Sequence, residues 1–168
     1  MAAKKFLRHV AGAITEIAGV VTSAGAGNDG DIPALDSSGR LDTSVMPVGI
    51  GADTAAITAS EALAAGDFVN IWNSTGAKVR KADATTAGKE AHGFVLASVS
   101  SSATATVYFE GTNTQVSGQT PGNVFLQTTA GTAGTTVPST AGNVVQNLGV
   151  ATSTTSINFE RGTPITLA

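Results

Sequence analysis

The chain has 168 residues, of which 42% are hydrophobic, 5% aromatic and 12% charged, with a net charge of -3 and no cysteine. That length suits one domain, or one domain plus an appendage, around a modest core. The mild negative charge offers nucleic acid no attractive field, the lack of cysteine removes disulfides and thiolate metal sites, and no apolar run approaches the roughly 18 residues of a membrane span. With charge at about half its usual share, Ser, Thr, Asn and Gln must cover much of the surface.

At the start of the chain, Lys4, Lys5 and Arg8 precede an apolar stretch ending in Ala24-Gly25-Ala26. It has the outline of an export signal, but Glu16 interrupts the apolar run and argues against cleavage. Phe6, Leu7, Val10, Ile14, Ile17, Val20 and Val21 follow at spacings of three and four, so helix is the first reading of residues 6–21. Gly12, Gly19 and the β-branched content oppose it, and an extended arm is the alternative. Ser23 to Gly30 reads as a glycine-rich flexible link. Within it Asn28, Asp29 and Asp31 have calcium-ligand chemistry but lack the distant bidentate acid of an EF-hand loop.

Ile32 to Pro47, "IPALDSSGRLDTSVMP", carries turn chemistry at Asp36-Ser37-Ser38-Gly39. Flanked by Ile32, Leu35, Leu41 and Val45, it is expected to form a two-stranded ribbon with its tip at that turn. Such a ribbon is at best marginally stable alone and needs a surface to lie on. Residues 1–50 are thus an arm with a ribbon, and residues 51–168 the body.

From Ala64 the pattern changes to short strands between turns. Asp67–Trp72, Ala77–Ala82, His92–Val99 and Ala103–Phe109 are rich in Val, Ile, Thr and aromatics and bounded by Gly, Asn and Ser. The pattern then recurs. "AAGDFVNI" at Ala64 is echoed by "TPGNVFLQ" at Thr120, "HGFVLASV" at His92 by "LGVATSTT" at Leu148, and "VYFEG" at Val107 by "INFERG" at Ile157. Gly66 and Gly122 lie 56 residues apart, as do Gly93 and Gly149. The body therefore reads as mainly β, a small barrel or sandwich built from two similar modules, residues 64–111 and 120–162. Gly111 to Phe159 contains no charged residue, so the second module lacks the charges that usually guard strand edges, and self-association is expected.

No constellation for catalysis or metal binding stands out. His9 and His92 are the only histidines and have no local partners, the glycines of residues 19–25 lack the context of a phosphate-binding loop, and no serine has a recognisable base. Neither a cofactor nor an enzymatic activity is expected. On the strand Ala77–Ala82, Lys78 and Arg80 alternate onto one face, as a solvated surface or a contact for an acidic neighbour.

The stretches "IPALDSSGRLDTSVMPVGIG", "ALAAGDFVNIWNSTGAKVRKADATTAGKEAHGFVLASVSSSATATVYFEG" and "GNVFLQTTAGTAGTTVPSTAGNVVQNLGVATS" resemble virion structural proteins of tailed bacteriophages, above all the capsid decoration, or cement, proteins. The likeness spans about Ile32 to Pro164. It implies a β-rich homo-oligomer, often a trimer, that sits on the outer capsid surface, binds the major capsid protein across capsomers and is made in the bacterial host cytoplasm. A fibre or baseplate component is the alternative within the particle, and a carbohydrate-binding β-domain the alternative from another class. A single Trp and a single Tyr are few for a sugar-stacking platform. The expected contacts with shell or sister subunit are Lys4, Lys5, Phe6, Leu7, Arg8, Ile32, Leu35, Leu41, Lys78 and Arg80.

Overall fold

Residues 5–47 and 51–168 are described by a computed structural model, in which the chain divides into two units, 1–51 and 52–168. In the first unit the helix reading gives way to the extended alternative, as an antiparallel hairpin of β1 (Lys5–Val10) and β2 (Ala13–Ala18). Ala11 and Gly12 join them with φ of 48° and 87°, the pair of left-handed residues that a two-residue hairpin turn requires. Gly12, an obstacle inside a helix, is therefore the turn itself. The three-and-four spacing misled because the apolar residues lie on both faces of the ladder. Phe6, Val10 and Ile17 share one face, and Leu7 and Ile14 share the other.

The link at Ser23–Gly30 is also more ordered than its composition suggests. Gly25–Asn28 forms a 3-10 turn, and the Asn28 side chain accepts from the Ala24 N–H and donates to Asp31. The Asp36 turn is present, with its carboxylate accepting the N–H groups of Ser38 and Arg40. The two-stranded ribbon around it is not. Val20 instead bridges to Pro33 in parallel, and Asp42 caps a 3-10 turn at Thr43–Val45. Short Asp and Ser side chains bond to nearby N–H groups and so compete with a ladder. The N–H and hydroxyl of Ser44 hold the Asp42 carboxyl below the usual carboxylate range.

The second unit begins with a closed barrel of β3 (Thr54–Ala59), β4 (Phe68–Asn73), β5 (Ala77–Lys81), β6 (Gly93–Phe94) and β7 (Thr104–Tyr108), in the order β3-β5-β4-β6-β7. Strand β3 was not legible as a strand, and only two residues of His92–Val99 enter the ladder. Ala59, Leu63, Val69, Val79, Val95, Ala105 and Val107 fill a core of this barrel. There follow β8 (Gly111–Asn113), β9 (Gly122–Leu126), β10 (Ala133–Gly134), β11 (Val144–Val145), β12 (Asn147–Ser153), β13 (Ser156–Phe159) and β14 (Ile165–Thr166). Five of them form a sheet in the order β10-β9-β12-β13-β8, while β11 pairs with β14.

Position by position that order repeats β5-β4-β6-β7-β3, so the body is two similar β-modules. The register agrees as well: Phe94 pairs with Tyr108, and Val150 with Asn158. Gly93 and Gly149 hold equivalent places, where a Cβ would run into the carbonyl of Tyr108 or of Asn158. Close approach of a neighbouring strand thus accounts for this recurring glycine pair. The modules differ at closure. Strands β3 and β5 have six and five residues and pair in parallel, whereas β8 and β10 have three and two and do not meet.

The open second sheet is filled by its neighbour. Phe68, Ala82, Ala84, Ala91 and Phe94 of the first module share one core with Val124, Leu126, Leu148, Ala151, Ile157 and Phe159 of the second. The Phe159 ring lies 5.7 Å from those of both Phe68 and Phe94. Buried Gln146 completes the seam: its amide accepts the Ala91 N–H at 2.8 Å and donates to the Ala91 carbonyl at 2.9 Å. The second module's own outer face is different. The places of Phe94 and Tyr108 are taken there by Val150 and Asn158, both exposed, so the stacking stops after two modules.

Two outcomes follow. Gln146→Leu leaves both polar groups of Ala91 unpaired in the core, and urea denaturation should show a loss of about 2–4 kcal/mol. Restoring the aromatics with Val150→Phe and Asn158→Tyr should produce new self-association in analytical ultracentrifugation, because an apolar stacking face is then left uncovered.

Candidate interaction surfaces

None of the described residues of the first unit is buried. Leu7, Val10, Ile14, Ile32, Leu35 and Leu41 are six of the nine large apolar side chains exposed among the described residues, although this unit supplies the smaller part of the chain. The second unit supplies only Val137, Val150 and Ile165. A groove of about 500 Å³ opens beside the hairpin, lined by Lys5, Phe6, Gly19, Ile32, Leu35 and Asp36 among others. Its wall depends on Gly19, where a Cβ would stand 2.8 Å from that of Ala34.

The structure therefore brings four of the expected contact residues, Lys5, Phe6, Ile32 and Leu35, to one groove. Leu7 lies on the opposite face of the hairpin from Phe6, at 73% exposure. The Arg8 guanidinium reaches towards Gly30, and Leu41 is exposed beyond the Asp36 turn. Lys4 lies outside the described residues. Lys5 is paired with Glu16 at 2.7 Å, an exposed ion pair of small energetic weight.

Lys78 and Arg80 belong to the second unit and differ in kind. Arg80 is committed internally: it donates to Asn70 and to the Gly88 carbonyl, and its guanidinium stacks on Trp72 at 4.6 Å from the ring centre. Lys78 sits opposite Trp72 in the ladder. The Asn73–Gly76 turn sets this register, so the Trp72–Arg80 contact could have been read by folding the two strands about that turn. The indole N–H of Trp72 donates to Ser60, and with one face under Arg80 the ring is poorly placed to stack a sugar. The neighbouring Lys81 pairs with Asp67, and Lys89 with Asp83.

Among the described residues no group of three or more His, Asp or Glu is placed to hold a metal ion, and no helix is long and apolar enough to cross a membrane. His92 is half-buried at the start of β6, where its Nδ1 accepts the Ile71 N–H at 2.9 Å. Burial first, and then the charge of Arg161, push its pKa below the usual histidine value, against the opposing charge of Glu90; the Ile71 bond needs an unprotonated Nδ1 and so favours the neutral ring. Burial acts to raise the Asp83 carboxyl, but the hydroxyl and N–H of Thr85, together with Lys89, outweigh it and leave that group lowered.

No protein family model, curated protein or solved structure matches this chain.

Because folded His92 binds a proton less readily than the unfolded chain, its contribution to stability is present above the unfolded value near ~6.5 and is lost as pH falls through the lowered folded value. Urea midpoints should therefore drop as pH falls from neutral through that window. Asp83 adds a second decline below the unfolded carboxylate value, as pH falls through its own lowered folded value. His92→Asn, which keeps an acceptor for Ile71, should abolish the first decline and leave the second.

Proposed function

We propose that the chain is a virion structural protein that decorates the outer capsid surface of a tailed bacteriophage, with residues 1–51 as the attachment element and residues 52–168 as the folded knob. In this reading it binds the major capsid protein across neighbouring capsomers, works as a homo-oligomer, and needs no cofactor and no catalytic step. The observation that carries the reading is the contrast between the units. The second unit has two filled cores, while the first has no buried residue among those described and exposes six large apolar side chains.

An element without a core gains one from its partner. Burying four such side chains contributes on the order of 6 kcal/mol at about 1.5 kcal/mol each, before the entropy of docking is subtracted. Lys5 and Arg8 add an attraction to an acidic shell that salt weakens. The sequence resemblance to decoration proteins, which begins at about Ile32 and so includes the groove segment, supports the same assignment.

Electron microscopy of phage particles assembled with and without the protein tests this directly: density should appear on the shell only when the protein is supplied. Ile32→Asp combined with Leu35→Asp should abolish decoration while leaving thermal unfolding of the second unit unchanged, since both side chains are exposed. Full occupancy by that variant would move the contact away from the groove. Density confined to the tail would replace the capsid assignment with a fibre or baseplate one.

A further inference from the structure

The hairpin leaves both of its edges open. Its two-residue turn makes Val10 and Ala13 the last hydrogen-bonded pair, so Arg8 with Thr15 and Phe6 with Ile17 follow as bonded pairs. The N–H and C=O groups of Lys5, Leu7 and His9 then point away from the ladder on the β1 side, and those of Ile14, Glu16 and Ala18 on the β2 side. None of these outward groups has a hydrogen-bond partner among the described residues. Neither strand contains proline or a bulge, and the two most exposed large apolar side chains, Leu7 at 73% and Ile14 at 71%, stand on these strands and share one face. Further along the β2 side the edge is closed, where Val20 exchanges hydrogen bonds with Ile32 and Ala34.

We infer that this hairpin is a self-association element: the β1 edge of one copy pairs with the β2 edge of a second copy, antiparallel, continuing the ladder between molecules. Charge selects this arrangement over its rivals. β1 carries Lys5 and Arg8 and no acid, and β2 carries Glu16 and no base. Pairing β1 with β2 of the next copy sets Lys5 on the face that carries that copy's Glu16, while Arg8 stands on the other face beside uncharged Thr15 and Ile17; β1 with β1 gathers like charges. The new ladder also brings Leu7 of one copy beside β2 of the next, on the face that holds Ile14. The contact is head-to-tail, so each copy uses both of its edges.

The inference deepens the homo-oligomeric part of the proposed function, and its test contains no capsid, so failure of one does not imply failure of the other. Proline separates backbone pairing from side-chain contact, because at an outward-pointing position it deletes only an unpaired donor and is tolerated on an edge. Full-length Leu7→Pro and Ile14→Pro variants should each sediment as monomers at micromolar concentration, while the unaltered chain forms larger species. Mixed together, they should form a one-to-one dimer, since each retains the edge the other lacks. Ile14→Thr, which keeps the outward N–H, should still associate. A monomeric unaltered chain, association of either proline variant alone, or a mixture that stays monomeric would overturn the proposal. Fluorescence of Trp72, in the second unit, reports that the body of each variant remains folded.

Discussion

The body depends on one packing relation, the insertion of the first barrel's outer aromatic face into the open second sheet. Phe159 meets Phe68 and Phe94 there, and Val124, Leu126, Leu148, Ala151 and Ile157 of the second module join the same core. Without that insertion the second sheet would be an unclosed strip with its apolar side in water. Its edge strands are too short to pair with each other, so closure from within is not available. Filling by the neighbour replaces closure by hydrogen bonding, and the fold follows from that exchange.

Two of the polar groups buried at the seam are amides, beside the Asp67 carboxylate that lies against Gly131 and pairs with Lys81. Backbone groups of Ala91 and Gly66 would be stranded between the modules, and the buried side chains of Gln146 and Asn113 satisfy them at no cost in desolvated charge. Gln127 has a comparable task at the sheet edge, where its amide donates to the carbonyls of Gly134 and Thr136. The second module can therefore lack charge as far as Phe159 and still present short, partly occupied edges. Most of the exposed large apolar side chains lie instead in the first unit.

The two units embody opposite solutions to the same problem. One buries its aromatic residues in shared cores, and the other keeps Leu7, Ile14, Ile32 and Leu35 in the open around a scaffold of turns held by Asp36, Asp42 and Asn28. These local side-chain bonds order the backbone without requiring a core. In the proposed reading, that order lowers the entropic cost of docking.

Much of the body was determined by the sequence alone. The alternation of β-branched residues with turns specified strands, the recurring glycines specified the duplication, and the lack of convergent ionisable groups left no catalytic constellation to be read. These features are local or periodic and survive without knowledge of the fold. In the arm, Ile32 and Leu35 were recognisable as large apolar groups among turn formers, and the structure leaves both exposed. What only the tertiary structure decided was non-local. Gly12 could break a helix or make a hairpin, and the choice rests on the cross-strand register of residues 5–18. Strand β3 is recognisable only through its pairing with β5 and β7, which supplies the ladder its Ala-rich sequence does not advertise. Arg80 looked like a surface contact until its strand was folded beside Trp72. Likewise, nothing local to Phe159 indicates that it fills the space between two modules, because that space exists only once one barrel has closed and the other has not.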